Sequence, residues 1–198
     1  MKMNKFGASL VLAVAVSLAA GAARADVKTD QAISKAEEQF AKGKPDEAIK
    51  SMVKFANGTP SVEAYLSLAR LQDLNGNAAD AEASIAKAVD LSASASPTLK
   101  AQALSAAART ALKGGTGKAA VDMATKAVAA EKSAHSLGTL AAAHARQGDA
   151  KAAHAAADAA IAAGATSSVA HAGKGDALTL SGQTAEAVAS YRKAVELD

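Results

Sequence analysis

Three observations predict an all-α solenoid built from about five helix-turn-helix repeats. More than a quarter of the 198 residues are Ala, three are Pro, and aromatic residues make up 3%. Ala is the best helix former, so this composition favours helices throughout. Gly43, Gly76, Gly115, Gly148 and Gly182 recur at intervals of 33, 39, 33 and 34 residues. Small residues keep register with them, five positions later at Ala48, Ala81, Ala120, Ala153 and Ala187, and seven positions earlier at Ala36, Ala69, Ala108, Ala141 and Gly175. A fourth column holds Phe55, Ala88, Ala127, Ala160 and Ala194. The glycine column weighs most, because Gly is far rarer here than Ala. A period near 34 residues, with a helix on each side of a glycine turn, describes stacked hairpins that each cover a neighbour's apolar stripe.

The chain opens differently. Residues 1–25 carry Lys2, Lys5 and Arg24, no acidic residue, and an apolar run from Phe6 to Ala20. Ala23 and Ala25 precede Asp26 in the A-x-A pattern of a secretory signal, so cleavage after Ala25 and a mature chain over 26–198 are expected. An uncleaved anchor is the competing reading, but its apolar run falls short of the roughly 20 residues a membrane span needs. No stable membrane insertion is expected after cleavage. The expected location is the periplasm if the source is a Gram-negative bacterium, and otherwise outside the cell.

Beyond Asp26 the repeats divide at about 29–61, 62–98, 99–133, 134–166 and 167–198. The expected helix pairs are Thr29–Lys42 with Pro45–Ala56, and Ser61–Asn75 with Ala78–Ser92. They continue as Ser96–Lys113 with Gly117–Lys132, Ala134–Gln147 with Ala150–Ala163, and Ser167–Leu180 with Thr184–Leu197. Pro45 suits a first helical turn, and each turn glycine frees a helix end to reverse. The long interval of 39 coincides with SASASPT at Ser92–Thr98, read as an enlarged surface loop.

These residues resemble the tetratricopeptide repeat (TPR) family. The resemblance rests on the small pair on each repeat's helices, the turn glycine, and bulky neighbours such as Tyr65, Leu68 and Ile85. It rests also on Pro60, which closes the first repeat, and on the final AEAVASYRKAVELD. It spans Thr29 to Asp198 and is weakest in the third and fourth repeats, where Ala replaces nearly every large core residue. The resemblance implies a right-handed superhelix and a non-enzymatic scaffold that binds a protein or peptide partner.

In that family the first helices of the repeats line a concave groove. Here the groove would hold Glu37, Phe40, Glu63, Leu66, Arg70 and Asp73. Further along it would hold Gln102, Ser105, Arg109, Lys113, His135, Arg146, Asp176 and Thr179. The expected partner-binding residues are Phe40 and Leu66 for apolar contact and Arg70, Arg109, Lys113 and Arg146 as a basic stripe, with acidic groups towards the ends. Guanidinium groups receive carboxylates in pairs of hydrogen bonds, although exposed charges are most often only solvated. The family's carboxylate-clamp subgroup places Asn where this chain has residues such as Ser67, Arg70, Ala106 and Arg109, which counts against a clamp of that kind.

Several functions are set aside. Without the first 25 residues the chain carries 19 basic and 19 acidic residues, so nothing marks it for nucleic acid. There is no Cys, hence no disulfide, thiol nucleophile, thiolate metal site or lipidated N-terminal Cys. His135, His144, His154 and His171 form no HExxH, and His144 and His171 occupy packing columns. An enzyme or metal protein using these histidines is the alternative from another class. GGTG at Gly114–Gly117 occupies the turn column and follows a helix, so it reads as a turn, not a phosphate loop. No catalytic residue, cofactor or metal is expected. An accessory role in a secretion, polysaccharide-export or outer-membrane assembly system is the other alternative. The last helix leaves Val188, Tyr191, Val195 and Leu197 uncovered, a face suited to homodimerisation.

Overall fold

The computed structural model describes residues 26–198; the expected signal segment lies outside the described residues. Ten helices follow in five hairpins among them. The first pairs α1, helical over 26–41, with α2 (Pro45–Gly58), and the second pairs α3 (Val62–Leu74) with α4 (Ala78–Leu91). Then come α5 (Pro97–Lys113) with α6 (Gly117–Ala130), α7 (Ala134–Gln147) with α8 (Ala150–Ala163), and α9 (Ser168–Leu180) with α10 (Thr184–Leu197). From α2 onward, contacts run only between helices adjacent in sequence or one apart. That nearest-neighbour pattern is the solenoid expected from the repeat, since no hairpin reaches a distant one.

The turn glycines close every hairpin in one way. Gly43, Gly76, Gly115, Gly148 and Gly182 have φ of 76°, 81°, 76°, 88° and 73°, and no other described residue has positive φ. After each, the next N–H donates to a carbonyl five residues back, as in Lys44 to Gln39 (3.0 Å) and Asn77 to Gln72 (2.8 Å). The glycine N–H itself donates three residues back, as in Gly148 to Ala145 (3.1 Å). This is the Schellman ending, which satisfies orphan carbonyls only where the left-handed residue carries no steric penalty.

Serines start the first helix of repeats two to five, a regularity not read from the sequence. Ser61, Ser96, Ser133 and Ser167 accept from the N–H groups of Ala64, Leu99, Ser136 and Ala170 at 3.1–3.3 Å. The caps place these serines just outside the helices, so α3, α5 and α9 begin one residue later than expected.

The long second interval is taken up by a short turn and a long helix. Ser92–Ser94 forms a single 3₁₀ turn, Ser96 caps α5, and α5 runs to 17 residues against 13 or 14 in the helices after it. Ser92 is buried, and its Oγ donates to the Val89 carbonyl at 2.7 Å. Most of the inserted residues therefore lie in the long helix expected over Ser96–Lys113, where they gain backbone hydrogen bonds, and the connection over 92–96 exceeds the other junctions by only one or two residues.

Packing divides the molecule by side-chain size. The first two repeats and the start of the third share a core of bulky residues, with Met52, Val62, Tyr65, Leu68 and Leu71 buried. Phe55 is only half-buried there, and Ala56 takes the fully enclosed place beside it. The later cores are mostly alanine, such as Ala108, Ala120, Ala124 and Ala143, or Ala141, Ala153, Ala157 and Ala177. Alanine faces let helices approach more closely than leucine faces do. The extreme case is α7 against α9. A Cβ placed on Gly138 would lie 2.5 Å from the Val169 carbonyl oxygen, and one on Gly173 would lie 2.4 Å from the Gly138 carbonyl oxygen.

Candidate functional site

A concave cavity of about 1240 Å³ runs from the first repeat to the start of the fourth, lined mainly by α3, α4 and α5, with Glu37 at one end and His135 at the other. Four of the six expected partner-binding residues line it: Leu66 and Arg70 from α3, and Arg109 and Lys113 from α5. Leu66 is half-buried and, with Ala69, Ala81, Ala101 and Ala106, supplies an apolar lining. The other two lie elsewhere. Phe40 packs half-buried on the bulky core. Arg146 is exposed on the last turn of α7, where its charge acts on Asp176.

The basic stripe is interleaved with acids rather than flanked by them. Arg70 Nη1 donates to Glu37 Oε1 at 3.1 Å across the first repeat junction. Lys113 Nζ donates to both oxygens of Asp73 at 2.6 Å across the second. Partners 33 and 40 residues apart meet because the stack offsets one repeat against the next. All four side chains remain 45–70% exposed, so each pair contributes only about 0–1 kcal/mol, and an incoming ligand can exchange it.

At the third junction Arg109 Nη1 lies 3.1 Å from His135 Nε2. Guanidinium only donates, so His135 accepts here and carries its proton on Nδ1. Burial, and then the Arg109 charge, lowers the His135 pKa from 6.5 to about 4. Burial also holds Arg109 below the ordinary guanidinium value, with Asp73 acting in the opposite direction.

Beyond the cavity, the Tyr191 hydroxyl donates to Asp176 Oδ1 at 2.6 Å. The tyrosine ring lies over Gly175, where a Cβ would sit 2.6 Å from it, which explains a glycine in that small-residue column. Burial raises the Asp176 pKa against the opposing effects of Tyr191 and Arg146. Ser105, expected on the groove surface, is instead fully enclosed in α5. Thr179 Oγ1 donates to its own helix at the Gly175 carbonyl, 2.8 Å away.

The histidines do not converge. His154 Nε2 pairs with Ser181 Oγ at 2.7 Å, and His171 Nε2 with the Ala165 carbonyl oxygen at 2.9 Å. His144 is half-buried, as its packing column implies. Among the described residues no group of three His, Cys, Asp or Glu could hold a metal ion. No described helix is long and apolar enough to cross a membrane.

The tetratricopeptide repeat family model matches residues 169–198. No curated protein sequence matches the chain. Among solved structures, a crystal structure of MamA is 26% identical with a TM-score of 0.58, covering 82% of this chain and 93% of that one. MamA 41-end from Desulfovibrio magneticus RS-1 is 17% identical with a TM-score of 0.59, covering 86% and 94%. YrrB, described as a TPR protein with an unusual peptide-binding site, is 14% identical with a TM-score of 0.54, covering 84% of each chain. The last repeat therefore carries the tetratricopeptide repeat pattern, and the described residues 26–198 form a right-handed α-solenoid of five TPR-like hairpins.

Proposed function

We propose that the chain is an exported, non-enzymatic adaptor that holds a peptide or partner helix in its concave groove. The observation that carries this reading is the cavity of about 1240 Å³, with an apolar lining beside weak, exchangeable ion pairs. Such a surface gives an extended segment both apolar contact and polar orientation. Export rests on the N-terminal pattern ending in Ala25.

The test is affinity capture from the envelope fraction of cells expressing the full chain. The recovered bait should begin at Asp26. Leu66→Asp with Arg70→Glu should weaken retention of its partner at least about tenfold, or about 1.4 kcal/mol. Lys126→Glu on α6, outside the cavity, should not. Equal retention by all three proteins would end the groove reading.

The uncovered face of α10 supports a second reading, in which two copies associate there. Val188 is 43% exposed and Val195 78%, an apolar stripe on the outer side of the last described helix. Sedimentation should give a concentration-dependent dimer that Val195→Glu converts to monomer. A monomer at high concentration, unchanged by that substitution, removes this reading.

A further inference from the structure

Cross-junction polar pairs run along the concave side with one irregularity. Glu37–Arg70 spans the first junction and Asp73–Lys113 the second. At the fourth, the Arg146 charge acts on Asp176 without a direct ion pair. At the third, the cation Arg109 contacts a neutral imidazole where the first two junctions pair a cation with a carboxylate, and Asp73 acts on Arg109 only through charge. The two groups close one end of the cavity, so a ligand lying there reaches both.

We propose that the Arg109–His135 pair is a proton-coupled binding point for a carboxylate of an acidic peptide, the ligand supplying the hydrogen-bonded carboxylate that Arg109 lacks. This rests on the groove reading above. A carboxylate entering between the two takes the Arg109 donor from His135 Nε2, and the freed nitrogen takes up a proton. The carboxylate then accepts from guanidinium and imidazolium together, two charge-assisted hydrogen bonds in place of one weak contact. Lys would serve less well than Arg here, because only the planar fork can address imidazole and carboxylate in turn.

The surroundings permit the uptake. Around the cavity, α1 presents Glu37, α3 presents Arg70 and Asp73, α4 presents Glu82, α5 presents Arg109 and Lys113, and Glu131 follows α6. On the far side of α7, α9 sets Val169 and Ala170 against Gly138, and α8 meets it through alanines. Of these charges, Arg109 is the one that acts on His135. In the free chain His135 is neutral down to about pH 4, below its ordinary 6.5. Because its folded pKa is depressed, the free protein loses stability as pH falls through that window. A bound carboxylate reverses the preference. If it returns the imidazole to about 6.5, affinity rises about tenfold between pH 7.5 and pH 5.5.

The test titrates the purified protein with acetyl-tetraglutamate amide, and with acetyl-tetraglutamine amide as the neutral control. Affinity is measured at both pH values while the His135 ring is followed by NMR. Tetraglutamate should bind about tenfold tighter at pH 5.5 and raise the His135 titration from about pH 4 to above pH 6. Tetraglutamine should do neither. His135→Gln keeps an acceptor for Arg109 and should flatten the pH dependence; Arg109→Gln should weaken binding at both pH values. Circular dichroism checks that both variants remain folded. Binding that ignores pH, a His135 titration that ignores the peptide, or no binding at millimolar tetraglutamate overturns the proposal. If those results appear while Leu66→Asp with Arg70→Glu still abolishes partner retention, the groove reading stands alone. If the titration moves while partner retention is indifferent to the groove, the adaptor reading falls and the carboxylate point remains.

Discussion

Gly138→Ala is expected to uncouple the last repeat from the fourth. In an isolated helix the substitution would help, since Ala is favoured over Gly by roughly 1 kcal/mol. Here the new methyl carbon would stand 2.5 Å from the Val169 carbonyl oxygen, 2.7 Å from its carbonyl carbon and 2.9 Å from the Ala170 Cα. All three are backbone atoms, so relief requires moving α9 as a body, not rotating a side chain. Overpacking costs about 1–3 kcal/mol even where side chains can adjust. The net effect should reach about 2 kcal/mol of destabilisation despite the gain in helix propensity. Because stability passes between neighbours, the loss should concentrate in α9 and α10. Hydrogen exchange should show those helices losing protection well before α3–α6, with a broadened or two-step thermal transition. The control is Gly117→Ala, whose nearest neighbour lies at an ordinary 3.6 Å. A Gly138→Ala protein as stable as the parent would mean that the two helices do not meet backbone to backbone.

Met52→Ala should produce the largest loss from removal of a single side chain. Met52 is 1% exposed and the largest fully buried side chain among the described residues. It belongs to the bulky core with Tyr65 and Leu68. Burying such a side chain and leaving a void on its removal together cost about 2–5 kcal/mol. We expect about 3 kcal/mol, seen as a lower urea midpoint with an unchanged slope. The later repeats bury Leu137 and Leu178 among mostly alanine neighbours, so more of their stability rests on close approach of helices. A Met52→Ala midpoint within error of the parent would show that the first hairpins derive their stability elsewhere.

These two sites differ in how visible they are before folding. Met52 lies in a bulky stretch with Ile49, Val53 and Phe55, although the repeat columns name Phe55 and not Met52. Gly138 is one small residue among many, and no spacing rule marks it as the point where α7 and α9 touch. The serine caps were legible in principle, because Ser61, Ser133 and Ser167 each stand fifteen residues before a turn glycine. Of the candidate partner-binding residues, Leu66, Arg70, Arg109 and Lys113 face one cavity, whereas Phe40 and Arg146 do not. Phe40 has enough apolar surface to be drawn into the core beside the groove.

What the chain determined locally is the hairpin. A left-handed turn residue admits glycine with least strain, and a close helix contact admits alanine, so both requirements are written at single positions and repeat with the period. The five positive-φ glycines and the enclosed Ala48, Ala120 and Ala153 follow directly. What the tertiary structure alone decided is the offset of each hairpin against the next. That offset brings Glu37 to Arg70, Asp73 to Lys113 and Arg109 to His135, and it encloses Ser105 while leaving Arg70 open. It arises from small rotations summed over the packed contacts between repeats, a quantity that no individual residue position encodes.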